Sequence, residues 1–222
     1  DTSAKTPVMS SITLAILEDT GWYSTADVTA GSLLWGRNAG CDMVDLPCMA
    51  KGDPPTPTLP WFCVNGGERA CTLDRSASGF CSVTTFTSDL LPYFRYWTSS
   101  KRIGGGDLMS DHCPYIRGYA NRVCADSRNN NQEGFNSVGR SYGPASLCYT
   151  TTLSLQGFPA RSSDSFDCYS SRCVAGVLEV KVSNRWLRCS PGTTRLTHES
   201  FTGHIDCPSQ QEHPDLCASL NP

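Results

Sequence analysis

The sequence predicts a mixed fold, mainly β and irregular, in which one buried N-terminal helix precedes a disulfide-rich domain of mostly antiparallel strands and loops. Three observations carry this. Ser10 to Gly21 holds the only clear pattern of a buried helix. Thirteen cysteines accompany 19 glycines and 14 prolines in 222 residues, a composition that favours stapled loops over long regular elements. Near the C-terminal end, Val177 to Val182 alternates apolar and charged residues with the period of a strand.

In the helix, Ile12, Ala15, Ile16 and Asp19 fall on one face, and Leu14 and Leu17 widen the apolar surface until little more than one polar edge is left. Such a helix needs cover on most sides. Ser10 or Ser11 can cap the first-turn amides, and Gly21 can take the left-handed turn that ends the helix. Glu18 and Asp19 oppose the helix dipole, at a cost of about 0.3–1 kcal/mol each when exposed. Solvation or an arginine, Arg37 for example, offsets this; alternatively one of the two fixes the backbone of a neighbouring site. Residues 1–9 read as a polar loop leading in. Val28, Leu33, Leu34 and Trp35 are available to pack against the helix, Trp35 as core.

Gly52 to Pro60, GDPPTPTLP, cannot continue a helix or a central strand, so it reads as a connector or rigid surface loop. A domain seam is placed between Cys41 and Cys48. Beyond it, Cys63, Cys71 and Cys81 bound short loops of a stapled module. Leu90 to Trp97, LLPYFRYW, reads as a buried aromatic cluster rather than a peptide- or glycan-binding patch. Gly104 to Gly106 is a turn without phosphate-loop spacing, and Asn129 to Gln132 an exposed polar tip. In Val177 to Val182, Leu178, Val180 and Val182 define a buried face, with Glu179 and Lys181 on the wet one. Ser183 and Asn184 then turn the chain into a second strand, Arg185 to Cys189.

Composition narrows the function classes. A net charge of −3 without a basic cluster argues against nucleic acid, and no apolar run has the length of a membrane span. So many cysteines point to an oxidising, secretory or extracellular setting. The closest pair, Cys168 and Cys173, lacks the spacing of a zinc ribbon. Cys113 beside His112 suggests a thiol nucleophile, but adjacent side chains rarely face one another and a bridged sulfur does not attack. No GxSxG elbow occurs. An odd number of cysteines leaves at least one free or bonded outside the chain, and Cys41, at the end of the helix-bearing stretch, is the candidate.

The helix segment also carries a resemblance. ITLAILEDTGWY (12–23) followed by WGRNAGC (35–41) resembles the segment after the Met-turn in leishmanolysins, surface zinc metallopeptidases of the metzincin type. The similarity continues through Phe62-Cys63, Pro92 to Tyr96, Asp111 to Pro114, Tyr142 to Pro144 with Cys148, and Cys207-Pro208 to Cys217. It spans essentially the whole chain, and all thirteen cysteines have counterparts.

The resemblance implies that residues 1–47 are the C-terminal end of a metallopeptidase core, its Met-turn lying just upstream of Asp1, and that residues 48–222 are a cysteine-rich C-terminal domain. It implies bridges Cys48–Cys113, Cys63–Cys81, Cys71–Cys148, Cys124–Cys168, Cys173–Cys217 and Cys189–Cys207, with Cys41 bonded to the upstream region. The family's zinc ligands and general base come from an HExxH helix and a later histidine. This chain has no HExxH, and His112, His198, His204 and His213 share no ligand spacing. No residue here is therefore expected to be catalytic or to bind metal. Zinc belongs to the parent enzyme, where a zinc-activated water attacks polypeptide substrates. The implied partners are the upstream catalytic region and polypeptides, at the cell surface or outside the cell, with membrane attachment through a lipid anchor beyond the chain end. The other reading is a non-catalytic, cysteine-rich adhesion or binding module from a degenerate family member.

Overall fold

The computed structural model describes residues 9–25, 34–131, 138–160, 163–190, 193–208 and 216–220. It is a mixed, mainly β, disulfide-rich fold with one main helix. That helix, α1 (Ser11–Asp19), starts as the sequence predicts. Ser10 is the N-cap, its hydroxyl accepting from Thr13 N at 3.2 Å, and Gly21 follows the last turn at φ +68.

Its burial differs from expectation. Within this chain only Leu14 is buried; Ile12 and Ile16 are 71% and 60% exposed, and Trp22 just beyond is 85% exposed. Val28 and Leu33 lie outside the described residues. Trp35 is half-buried, but its ring meets Trp61, Phe62 and Tyr115 at 5.7–6.4 Å. The aromatic ring assigned to the helix therefore belongs to the second segment, because three other rings offer it more contact area. Glu18 and Asp19 are exposed.

The body is built on a six-stranded antiparallel sheet. Its order is Arg185–Arg188, Val177–Val182, Ser165–Val174, Ser146–Thr151, Ile205–Asp206, Arg195–Leu196. Tyr149, Tyr169, Val180, Val182, Leu153 and Ile205 form its buried core. The expected hairpin is present, with Val182 paired to Arg185 across a two-residue turn. Arginines stand on both outer strands of the sheet, and charge on an edge discourages pairing with another chain.

A three-stranded sheet, Arg69–Cys71, Ala77–Cys81, Ile116–Val123, lies against the first. Cys148 and Cys168 face one another on neighbouring strands of the large sheet. Each bonds outward, Cys148 to Cys71 and Cys168 to Cys124. The two bridges lie in one buried cluster with Tyr142. Closing loops of 77 and 44 residues, each stabilises by about 3–5 kcal/mol through lost unfolded-state freedom.

A third cluster gathers Cys48, Met49, Tyr96, Trp97 and Cys113. The proline-rich stretch is the tip of a small hairpin here, Met49–Ala50 against Thr56–Pro57. Leu90, Tyr96 and Trp97 are buried as expected, while Leu91 and Tyr93 are exposed. Asn129 to Gln132 departs from expectation. Ser127–Asn131 is a 3-10 turn in which Asn129 is buried, its amide donating to Val123 O at 3.0 Å; Gln132 lies outside the described residues. No described helix is long and apolar enough to cross a membrane.

Candidate functional site

The chain from Gly36 to Pro47 builds one wall of an apolar cleft. Gly36, Asn38 and Gly40 have positive φ, which winds the backbone into the short helix α2 (Asp42–Asp45). A Cβ at Gly36 would meet Met43 Cγ at 3.0 Å, so glycine there lets the turn close over the Met43 side chain. Cys41 caps α2 through its backbone: its carbonyl accepts from Val44 N and Asp45 N at 2.8 and 2.9 Å. Its thiol is free and exposed. The backbone is pinned while the sulfur is presented to solvent.

Behind this wall is a cleft of about 490 Å³, its floor made by Trp35, Phe62, Tyr96 and Tyr115. Val44 and Met109, both in its lining, are 85% and 93% exposed. Asp107 shapes the Met109 part of it, its carboxylate capping the turn Leu108–Ser110 at Met109 N and accepting from the Tyr115 hydroxyl, both at 2.9 Å. Burial and this acidic acceptor push the Tyr115 phenol up to about 12. Large apolar side chains left in water at one place mark a surface that meets another body.

The residues that could bind metal do not converge. His112 donates from Nδ1 to Gly105 O at 2.9 Å and is packed between the rings of Phe86 and Phe94. His198 accepts from Ser200 N at its Nδ1, His204 lies 3.0 Å from Thr152 Oγ1, and His213 is outside the described residues. Among the described residues, one group of potential ligands comes within reach, Cys63, Glu68 and Cys81. Its two sulfurs are bonded to each other at 2.00 Å and cannot act as thiolates. These residues do not fit a zinc site. Cys113 is bonded to Cys48, so with His112 turned to Gly105 a thiol–imidazole pair is ruled out. The remaining bridges are Cys173–Cys217 and Cys189–Cys207. Six disulfides fit an extracellular protein.

Sequence reasoning picked out Cys41 but missed the cleft beside it. Its lining comes from four stretches that no local pattern links. The available signal was Met-Val-Asp-Leu-Pro at 43–47, three apolar residues in a turn too short to bury them.

An apolar cleft beside a free cysteine, on a chain held by six cystines, fits a protein made for an oxidising, extracellular setting. Residues 1–220 match the family model described as leishmanolysin, and the chain belongs to that family, which is one of metallopeptidases. It is similar to the leishmanolysin of Leishmania amazonensis, 27% identical over 218 residues covering 90% of this chain and 35% of the relative. A leishmanolysin-like peptidase of Drosophila pseudoobscura pseudoobscura is 27% identical over 98% of this chain and 37% of its own length. Over a shorter stretch, 52% of this chain, the leishmanolysin of Leishmania chagasi is 35% identical. The chain thus spans little more than a third of the relatives it matches from end to end.

Proposed function

We propose that this chain is the C-terminal part of a leishmanolysin-like zinc metalloendopeptidase, and that its role is to hold the catalytic region together. Residues 1–47 complete the catalytic core, and residues 48–222 form the cysteine-rich domain that buttresses the cleft. The observation that carries this reading is the pairing of a free, exposed Cys41 with uncovered apolar surface on α1 and around Val44 and Met109. Uncovered Ile12, Ile16 and Trp22 alone represent several kcal/mol of burial, at about 1.5–3 kcal/mol for each large side chain. Family membership supports the upstream catalytic region, bonded to Cys41, as what covers them.

Zinc, its ligands and the general base belong to that upstream region. The segment alone binds no zinc and hydrolyses nothing. The whole protein cleaves polypeptides at the cell surface or outside the cell, attached to the membrane by a lipid anchor beyond the chain end.

Joining the chain to its upstream region tests this. The expected product carries a Cys41 disulfide to that region and cleaves a peptide substrate in a chelator-sensitive way, and Cys41→Ser loosens the union without unfolding residues 48–222. Chelator-sensitive cleavage by the 222-residue chain with added zinc would overturn the division of roles. A Cys41 bridge to another cysteine within residues 1–222 would overturn the docking.

A further inference from the structure

Arginines far apart in the sequence come together on the face of the three-stranded sheet. Arg69 is paired in register with Phe80, and Phe80 with Arg117, so the three stand in one row across the strands. The Tyr119 ring lies beside Phe80, centroids 4.9 Å apart. Arg122, at the end of the same strand, and Arg140, from a neighbouring loop, enter from the side. Both approach Asp167, at 4.0 and 3.1 Å. A groove of about 480 Å³ results, with Arg69, Arg122 and Arg140 in its lining against Asp164 and Asp167.

Among the described residues, three guanidiniums face two carboxylates in the lining, and Arg117 stands in the same cross-strand row as Arg69. Asp167 is buried, its side chain 3% exposed, and its hydrogen bond orients Arg140, which lowers the entropic cost of a later contact, while Arg122 stays 39% exposed at 4.0 Å. This local excess stands against a chain of net charge −3. The rest of the lining is of two kinds: half-buried aromatic faces, Tyr119 and Phe166, and small hydrogen-bonding side chains, Asn121 and Ser165.

We propose that this groove binds an acidic saccharide, its carboxylate or sulfate on the arginines and the apolar face of its sugar ring on Tyr119. The volume lies within the range of small-ligand sites, about 300–1,000 Å³. A peptide adding as a strand would pair along the outer edge of Ile116–Val123, an edge strand of its sheet, whereas the groove's lining reaches back across the sheet to Ser78, Gly79 and Arg69 on the other two strands. A nucleic acid would require a longer basic track than four arginines in one patch. The site is independent of the docking face around Cys41.

The test titrates the 222-residue chain with short heparin-derived (sulfated), hyaluronan-derived (carboxylate only) and neutral chitin-derived oligosaccharides of equal length, and with inorganic sulfate, by calorimetry. At least one acidic oligosaccharide is expected to bind, weakening as salt rises, and the neutral one to bind at least tenfold more weakly. Arg69→Gln, at an exposed position, is expected to lower the affinity by about fivefold, as losing one charge-assisted contact does, with an unchanged unfolding curve. Arg122→Gln is expected to act in the same direction. Arg185→Gln, outside the groove, should leave affinity unaltered. Binding of neither acidic oligosaccharide, equal binding of the neutral one, inorganic sulfate matching the saccharides, or indifference to Arg69→Gln would each overturn the proposal.

Discussion

The Tyr115 hydroxyl donates to Asp107 Oδ2 at 2.9 Å, and the same carboxylate accepts from Met109 N at its other oxygen. One side chain thus fixes both the floor and the exposed rim of the apolar cleft. Asp107→Ala removes a cap and a charge-assisted hydrogen bond together, at an expected cost of about 2–3 kcal/mol. Asp107→Asn keeps one acceptor and should fall between the two. Urea unfolding of the three proteins gives the comparison.

Tyr149 supplies a pH dependence. It is fully buried and hydrogen-bonded to Ser171 Oγ at 2.7 Å. Burial pushes its phenol up to about 12, the Ser171 hydrogen bond and the Arg75 charge opposing this in part. The folded-state value is raised above the unfolded one, near 10. The folded chain therefore keeps its proton where the unfolded chain has lost it, and stability present below pH 10 drains away as pH rises toward 12. Each pKa unit is worth about 1.4 kcal/mol, so the loss from Tyr149 approaches about 3 kcal/mol at the upper end. Tyr149→Phe should flatten this part of a stability-against-pH profile.

Two glycines with similar backbone angles should respond differently to alanine. Gly203 and Gly157 have φ of +99 and +92, but a Cβ at Gly203 would lie 2.4 Å from Thr152 O while one at Gly157 meets nothing within 4 Å. Gly157→Ala carries only backbone strain, about 1–3 kcal/mol. Gly203→Ala adds a collision with a backbone oxygen beside the pairing of Phe201–Thr202 with Ser154–Leu155, and should lower the midpoint of thermal unfolding well beyond the Gly157 variant.

The hairpin at 177–188 was legible because alternation and a two-residue turn are local signals. Glu179, read as facing water, is buried. Arg172 and Arg188 sit directly across from it on either side and hold it at 2.8 and 3.4 Å, while the Arg172 guanidinium also covers Trp186 at 4.1 Å. Long-stemmed arginines shield the carboxylate from solvent while meeting its charge. The pairing with Arg172 is set by the turn Ala175-Gly176, both at positive φ, and that with Arg188 by the turn Ser183-Asn184.

Asn130 shows the opposite limit. Its side chain donates to Tyr142 O at 2.8 Å and accepts from Tyr142 N at 2.9 Å, replacing a strand partner twelve residues away. Polar composition alone suggested a loop tip, since side-chain pairing to distant backbone leaves no periodic trace. The bridges are similar. Spacing left their connectivity open, and only likeness to a family could select a set.

The helix marks where sequence and chain part company for a physical reason. The pattern at Ile12, Leu14 and Ile16 encodes burial, and this chain covers only Leu14. Ile16→Asp separates the two meanings of that pattern. An exposed substitution away from packed contacts changes stability by no more than about 0.5 kcal/mol, so the 222-residue chain should unfold as the unaltered one does. Where the upstream region covers Ile16, the same change buries a carboxylate without a partner, and union should weaken by at least tenfold, given the several kcal/mol that desolvating a charge costs. Leu14→Asp is the control, destabilising the chain by itself. Equal union of the Ile16→Asp/Cys41→Ser and Cys41→Ser chains with the upstream region, measured by co-purification so that no covalent link contributes and the six internal bridges stay intact, would show that this face is not the one that docks.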